Sequence, residues 1–172
     1  MEVMEAILTR RSIRSFTSQE ISKQDLETIA TAAIHAPSGM NRQSWQFTIL
    51  TGDKIEALAE AIRKSSGNSN FTFYKPAALI VTSNEKSNER NGQADCACAL
   101  QTMFLAAHSM GIGSVWINQL KGISDYPDIR PTLTALKIPE SHEVQGIAAL
   151  GYPASTPPAV NKDASKIIWG DA

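Results

Sequence analysis

The stretch "QADCACALQTMFLAAHSM", residues 93–110, constrains this chain more than any other. It is Ala-rich, apolar at nearly every position and followed by Gly111, a residue suited to ending a helix. A helix with no polar face has to be buried nearly all round. The spacing therefore predicts a central helix enclosed by other layers, with Cys96 and Cys98 as small core residues of it.

The segments around it supply those layers. Val3, Met4, Ile7 and Leu8 recur at helical spacing, so residues 2–10 read as a short amphipathic helix. "ISKQDLETIATAAIHAP" starts a second helix at Ser22, with Asp25 three positions on in a near capping box, and Pro37 stops it. "SWQFTIL" alternates and is β-rich, hence a strand, and Asp53 is the expected cap of a third helix running to about Lys64. "AALIVTS" is a continuous apolar run suited to a central strand covered on both faces. "GSVWIN" and "EVQGIAALGYP" are further strands, and "IRPTLTALKIP" is a short helix with Pro131 in its first turn. Strands separated by helices imply one domain over residues 1–172 of α/β or α+β class, built on a single central sheet. The tail from about residue 155 joins a Pro-rich run to the apolar "KIIW". Both an arm docked on a partner subunit and an arm folded back on its own domain satisfy that composition.

Bulk properties narrow the function. A chain of 172 residues with formal net charge −1 has neither the basic face of a nucleic-acid binder nor the charge bias of a membrane-surface protein. It has no apolar run long enough to span a bilayer. Its first residues are acidic before they are basic, the wrong order for a secretory signal, so a reduced, cytoplasmic setting is expected. Two cysteines spaced C-x-C make neither a disulfide framework nor a complete zinc site.

Hydrolase and nucleotide signatures are missing. There is no G-x-S-x-G elbow, and His35, His108 and His142 fall in no metal-ligand pattern. His108 reads as a satisfied structural histidine and His142 as an exposed one. "GIGS" at 111–114 precedes a strand instead of opening a helix, so it is no dinucleotide fingerprint. What remains is "RRSIRS". Arg10, Arg11 and Arg14 with Ser12 and Ser15 suit a phosphate, because guanidinium forks and hydroxyls are its natural donors. Basic residues at a helix C-terminus also complement the helix dipole, an ordinary explanation for Arg10 and Arg11.

Together with "APSGMNRQSWQF" at 36–47, "RRSIRSF" resembles the FMN-dependent nitroreductase family. The resemblance continues through "AALIV", "MGIGSVWI" and "LTALKIPESHEVQGIAALGYP", and so covers nearly the whole chain in order. It implies a mixed central β-sheet flanked by helices, and a homodimer with two FMN sites at the interface and the C-terminal arm exchanged. It implies that Arg10, Arg11 and Ser12 hold the phosphate and ribityl chain, with Arg14 in support. Pro37, Ser38, Gly39, Asn41 and Gln43 then reach the flavin from the other subunit, and Trp116, Ile117 and Asn118 flank its ring. Lys162 stands in for the family's C-terminal basic residues, and Ser44 replaces the usual proline. The implied activity is ping-pong transfer from NADH or NADPH, through FMN, to nitroaromatics, quinones or flavins. Two alternatives stay open: another flavin reaction on the same fold (dehydrogenation, dehalogenation or flavin fragmentation), and a non-catalytic flavin-binding dimer.

Overall fold

A computed structural model describes residues 1–170 of the chain. Four strands form one sheet: β1 (Trp45–Thr51), β2 (Ala78–Glu85), β3 (Gly113–Ile117) and β4 (His142–Gly151), in the order β1-β2-β4-β3. All three pairings are antiparallel, and the one parallel contact among the described residues is an isolated bridge between Ser12 and Ser114. The five helices are α1 (Val3–Thr9), α2 (Lys23–Ile34), α3 (Asp53–Ser66), α4 (Gly92–Ser109) and α5 (Arg130–Ala135).

Alternation along the strands sorts the core into two layers. Leu79 and Val81 of β2 join Ile147 and Ala149 of β4 under α3 and α5. Ala78 and Ile80 join Ala148 and Leu150 under α2 and α4. β2 is buried on both faces over Ala78–Asn84, as its continuous apolar run predicts.

Four local readings need correction. Helix α4 buries one side only: Cys96, Leu100, Met103 and Ala107 face the core, while Ala94, Cys98 and Gln101 are exposed. Cys98 is therefore a surface residue of this protomer. His142 is not exposed: it opens β4 at 9% exposure, with Nδ1 3.1 Å from Ser83 Oγ. Asp53 is the first residue of α3 and not its cap; Gly52 precedes it at φ 53°, where a side chain would be strained. Helix α2 ends at Ile34, short of Pro37, because His35 already leaves the helical path. At its other end Ser22 caps as expected, its hydroxyl accepting the Asp25 N–H at 3.0 Å. Asp25 is too short to reach back to the Ser22 amide and instead accepts the Ser22 hydroxyl at 2.7 Å.

The segment after α1 is strapped across the sheet end. Ile13 N–H donates to the Ser114 carbonyl at 2.9 Å, and Phe16 bridges Pro153. Gly113 makes room for this strap. A Cβ there would lie 2.8 Å from Ile13 Cγ1 and 3.0 Å from both Ile13 Cβ and the Pro153 ring, which are too close to their backbones to swing aside. Gly113→Ala is expected to cost about 1–3 kcal/mol of stability through overpacking. The check is a lower urea midpoint with an unchanged denaturant slope.

Candidate functional site

The strap gathers positive charge. Arg10 is the residue that closes α1, and the chain turns extended there. Ile13 is buried, so the alternating positions Ser12 and Arg14 face the other way. Arg10, Arg11, Ser12, Arg14 and Lys162 line one cleft of about 490 Å³, with Val160 among its apolar walls. The tail thus brings Lys162 to the arginines although some 150 residues of chain separate them. Among the described residues none of these four cations has a carboxylate partner. Burial, and then the neighbouring Arg11 guanidinium, push the Arg10 pKa below its ordinary value. Arg11 Nη1 donates to the carbonyls of Leu8 and Arg10 at 2.9 and 2.8 Å, so this side chain does cap the C-terminus of α1. Arg10 makes no such bond; its guanidinium lies over the Phe104 ring, 5.9 Å from the centroid. Like charges held together without counterions are unfavourable unless an anion joins them.

The second group of predicted residues lies elsewhere. From Ser38 the chain makes a 3-10 turn over Gly39–Asn41, and Met40, Asn41 and Gln43 take positive φ values of 56°, 54° and 51°. Each left-handed non-glycine residue costs roughly 1–2 kcal/mol. Local bonds hold the shape: Gln43 N–H donates to Ser38 Oγ at 3.2 Å, and the Gln43 amide donates to Asn41 Oδ1 at 2.9 Å. Pro37, Asn41 and Gln43 are exposed, and Ser38 and Gly39 are half-buried.

A buried network anchors the loop from behind. Asp95, 5% exposed on α4, accepts the Gly39 N–H at 2.8 Å and the Asn88 amide at 3.2 Å. Asn88 also donates to Ser44 Oγ at 3.1 Å, and Ser44 donates to Asn84 Oδ1 at 2.9 Å. Glycine at position 39 leaves room for the Asn91 side chain, which would have to shift to admit a Cβ there. Sequence reasoning did not single out Asp95, Asn84 or Asn88. The available signal was that Asp95 is the one charged residue between Gln93 and Ala107. Cys96 adjoins the network, and burial pushes its thiol up to about 11, which leaves it protonated and inert.

The third group is divided by its strand. Ile117 belongs to the α3–α5 core, Trp116 is 46% exposed beside Phe104 (ring centroids 6.5 Å apart), and Asn118 is exposed just past β3.

The cationic cleft and the loop sit at opposite ends of α4. Thr9 Oγ1 lies 2.8 Å from His108 Nε2 at one end, and Gly39 is bonded to Asp95 at the other. Thirteen residues at 1.5 Å each put about 20 Å between those two contacts.

Comparison with known proteins decides the family. The sequence model described as "Nitroreductase family" matches residues 7–68 and 64–152. The chain belongs to the nitroreductase family. It is 35% identical over 158 residues to a protein of Archaeoglobus fulgidus provisionally named NADH dehydrogenase/NAD(P)H nitroreductase, covering 88% of this chain and 86% of that one. Its fold is similar to a nitroreductase with bound FMN from Bacteroides fragilis, with TM-score 0.91, 37% identity and 98% of both chains covered. It is also similar to an FMN-bound nitroreductase from Desulfitobacterium hafniense, with TM-score 0.85, 25% identity and 98% of both chains covered. The α+β class with one helix-flanked sheet thus agrees with the family. Its mixed character within this protomer is limited to the Ser12–Ser114 bridge.

The loop's dependence on Asp95 is directly measurable. Asp95→Ala removes the acceptor of two donors and is expected to cost about 1–3 kcal/mol. Hydrogen exchange at the Gly39 amide should accelerate at least tenfold, well beyond any change at β2 amides.

Proposed function

We propose that this nitroreductase-family chain is an FMN-dependent oxidoreductase. It would take reducing equivalents from NADH or NADPH and pass them, in two half-reactions sharing one site, to electron-poor acceptors such as nitroaromatics, quinones or flavins. One observation carries the reading: Arg10, Arg11, Arg14 and Lys162 converge with Ser12 on one cleft without a carboxylate among them. That donor set fits a phosphate dianion, and the half-buried Arg10, with no carboxylate partner among the described residues, is stabilised when one arrives. Arg10, Arg11, Ser12 and Lys162 would hold the phosphate, with Arg14 at the rim.

The other residues of the site come from a second copy. The stripe Ala94, Cys98 and Gln101, continued by half-buried Leu105, leaves α4 with an uncovered face of mostly small or apolar residues and one amide. Two antiparallel copies of α4 paired on this stripe would bring the loop of one subunit to the arginines of the other. Pro37, Ser38, Gly39, Asn41 and Gln43 would then close the pocket and exclude water, with Trp116 and Asn118 bounding it and Ile117, whose side chain is in the core, offering only its backbone. The amides of Asn41 and Gln43 can donate hydrogen bonds to developing negative charge. FMN, once bound, supplies the hydride and electron chemistry, so no protein nucleophile is required.

The tail fits the same assembly. Ile167, Ile168 and Trp169 are 77–83% exposed, and the open edge of β1 presents Trp45, Phe47 and Ile49 beside Ile34 of α2. Exchange of the arm between subunits would bury both apolar surfaces. No described helix is long and apolar enough to cross a membrane. With two free thiols and no disulfide among the described residues, a cytoplasmic location is the setting we infer.

Anaerobic addition of NADH or NADPH to the yellow protein tests the activity: the main flavin band should bleach and return on adding a quinone or nitroaromatic. A stable oxidised spectrum over minutes would leave only a flavin-binding dimer. For the site, Arg10→Ala with Ser12→Ala should weaken FMN binding at least tenfold, since one charge-assisted hydrogen bond contributes about 1.5–3 kcal/mol. Full FMN occupancy in that variant would place the phosphate elsewhere.

A further inference from the structure

His108 has no role in the site as described so far, yet it stands at the wall of the cationic end. It lies in the last turn of α4, half-buried, with Nε2 2.8 Å from Thr9 Oγ1. The Thr9 hydroxyl already donates its proton to the Glu5 carbonyl at 2.6 Å, so its oxygen can only accept from the ring. The hydrogen therefore sits on Nε2, and Nδ1 is the position left to gain or lose a proton.

The ring lines a small cavity of about 150 Å³ that shares Arg10 and Arg11 with the larger cleft. Ser114 and Thr156 add hydroxyls to its wall. Ser114 is 2% exposed, and its Oγ has no hydrogen-bond partner. Two guanidiniums and two hydroxyls, one of them buried and unpaired, are donors suited to a tetrahedral oxyanion, and the imidazole joins them only once Nδ1 carries a proton. The charged groups acting on the ring are Arg10 and Arg11 from the strap and, more weakly, Glu5 from α1. β3 and the 153–156 segment bring only uncharged residues to this wall. Burial, then Arg10 and Arg11, push the His108 pKa down, favouring the uncharged ring while the guanidiniums are uncompensated.

We propose that His108 is a proton site linked to the cofactor's phosphate: a phosphate dianion between Arg10 and Arg11 draws a proton onto Nδ1, and the imidazolium becomes a further cation around the anion. The proposal rests on the FMN reading above. The dianion reverses the sign of the field at the ring, so the pKa that burial and the arginines depress rises when the phosphate binds. Over the interval between the two pKa values binding takes up one proton, and FMN affinity strengthens as pH falls through it. The phosphate of FMN itself gains a proton near pH 6, which acts in the opposite direction, so the informative range lies above that.

The test is FMN and riboflavin binding to the flavin-depleted full chain at pH 6.5 and 8.5, read by flavin fluorescence. FMN should bind about fivefold more tightly at pH 6.5, where a one-proton linkage permits up to about tenfold per pH unit. Riboflavin, which has no phosphate, should show no such change. In His108→Gln, whose amide can still donate to Thr9, the pH dependence of FMN binding between pH 6.5 and 8.5 should vanish. An unchanged pH dependence in His108→Gln, or the same dependence with riboflavin, overturns the proposal. Failure of wild-type protein to bind FMN at either pH sinks the flavin reading itself, a result distinct from the first two. Imidazole NMR of the wild type gives a readout independent of the variant: the His108 titration midpoint must move to higher pH when FMN is added, and a fixed midpoint refutes the linkage.

Discussion

Everything at the candidate site depends on how α4 lies against the middle of the sheet. Eighteen residues at 1.5 Å each make it about 27 Å long. Its core side is locked by Leu100, Met103 and Phe104 over β4, and Gly146 lets Leu100 come within 2.7 Å of where a Cβ would stand. Because this rod is rigid, it fixes where the two groups of site residues can be. Asp95 holds the loop at one end, and Thr9 with His108 docks the strap at the other. A second copy related by a two-fold axis across α4 would turn that separation into proximity, which is why we place the proposed pocket in a dimer and not in a protomer.

The two ends carry different kinds of unfavourable energy, and both are held in place by the core. At the strap the cost is electrostatic, with Arg10 partly desolvated beside Arg11 and, among the described residues, no carboxylate paired with either. At the loop the cost is conformational, with three non-glycine residues at positive φ within four positions. Neither would persist on a flexible surface, because the arginines would spread into water and the loop would relax. Ile13 on Gly113 prevents the first, and Asp95 on Gly39 prevents the second. Positive φ also occurs at Phe73, Tyr74, Lys75 and Lys137, away from the residues proposed for the site, but at the loop it is fastened by a buried carboxylate, as a preformed binding surface requires.

Much of this was legible in the residue order, for reasons that are local. The apolar run of β2 announces its burial through composition alone, whereas the Ala-rich run of α4 announces a helix but overstates its burial, since one side is exposed. "RRSIRS" and "PSGMN" are contiguous, so their chemistry is visible without a fold. The errors lie where burial is decided by distant partners. Cys98 and Cys96 are two residues apart on one helix, and only the position of the sheet makes one a core residue and the other a surface one. His142 looks like a loop residue until Ser83, 59 positions away, is brought beside it. The Asp95–Gly39 bond spans 56 positions, and a single acidic residue in an apolar helix does not announce its partner.

Ser44 brings these strands together. The family resemblance leads one to expect proline there, yet the hydroxyl at this position bonds Asn84 and Asn88, and the Ser44 carbonyl accepts from Glu85 at 3.2 Å. Proline would supply no hydroxyl to that network. It would also confine the preceding residue to extended backbone, whereas Gln43 sits at φ 51°. The serine is therefore tied to the left-handed path that directs the Asn41 and Gln43 amides outward together. In this chain the departure from the expected motif and the shape of the loop are one feature, fastened through Asn88 to the same carboxylate that holds Gly39.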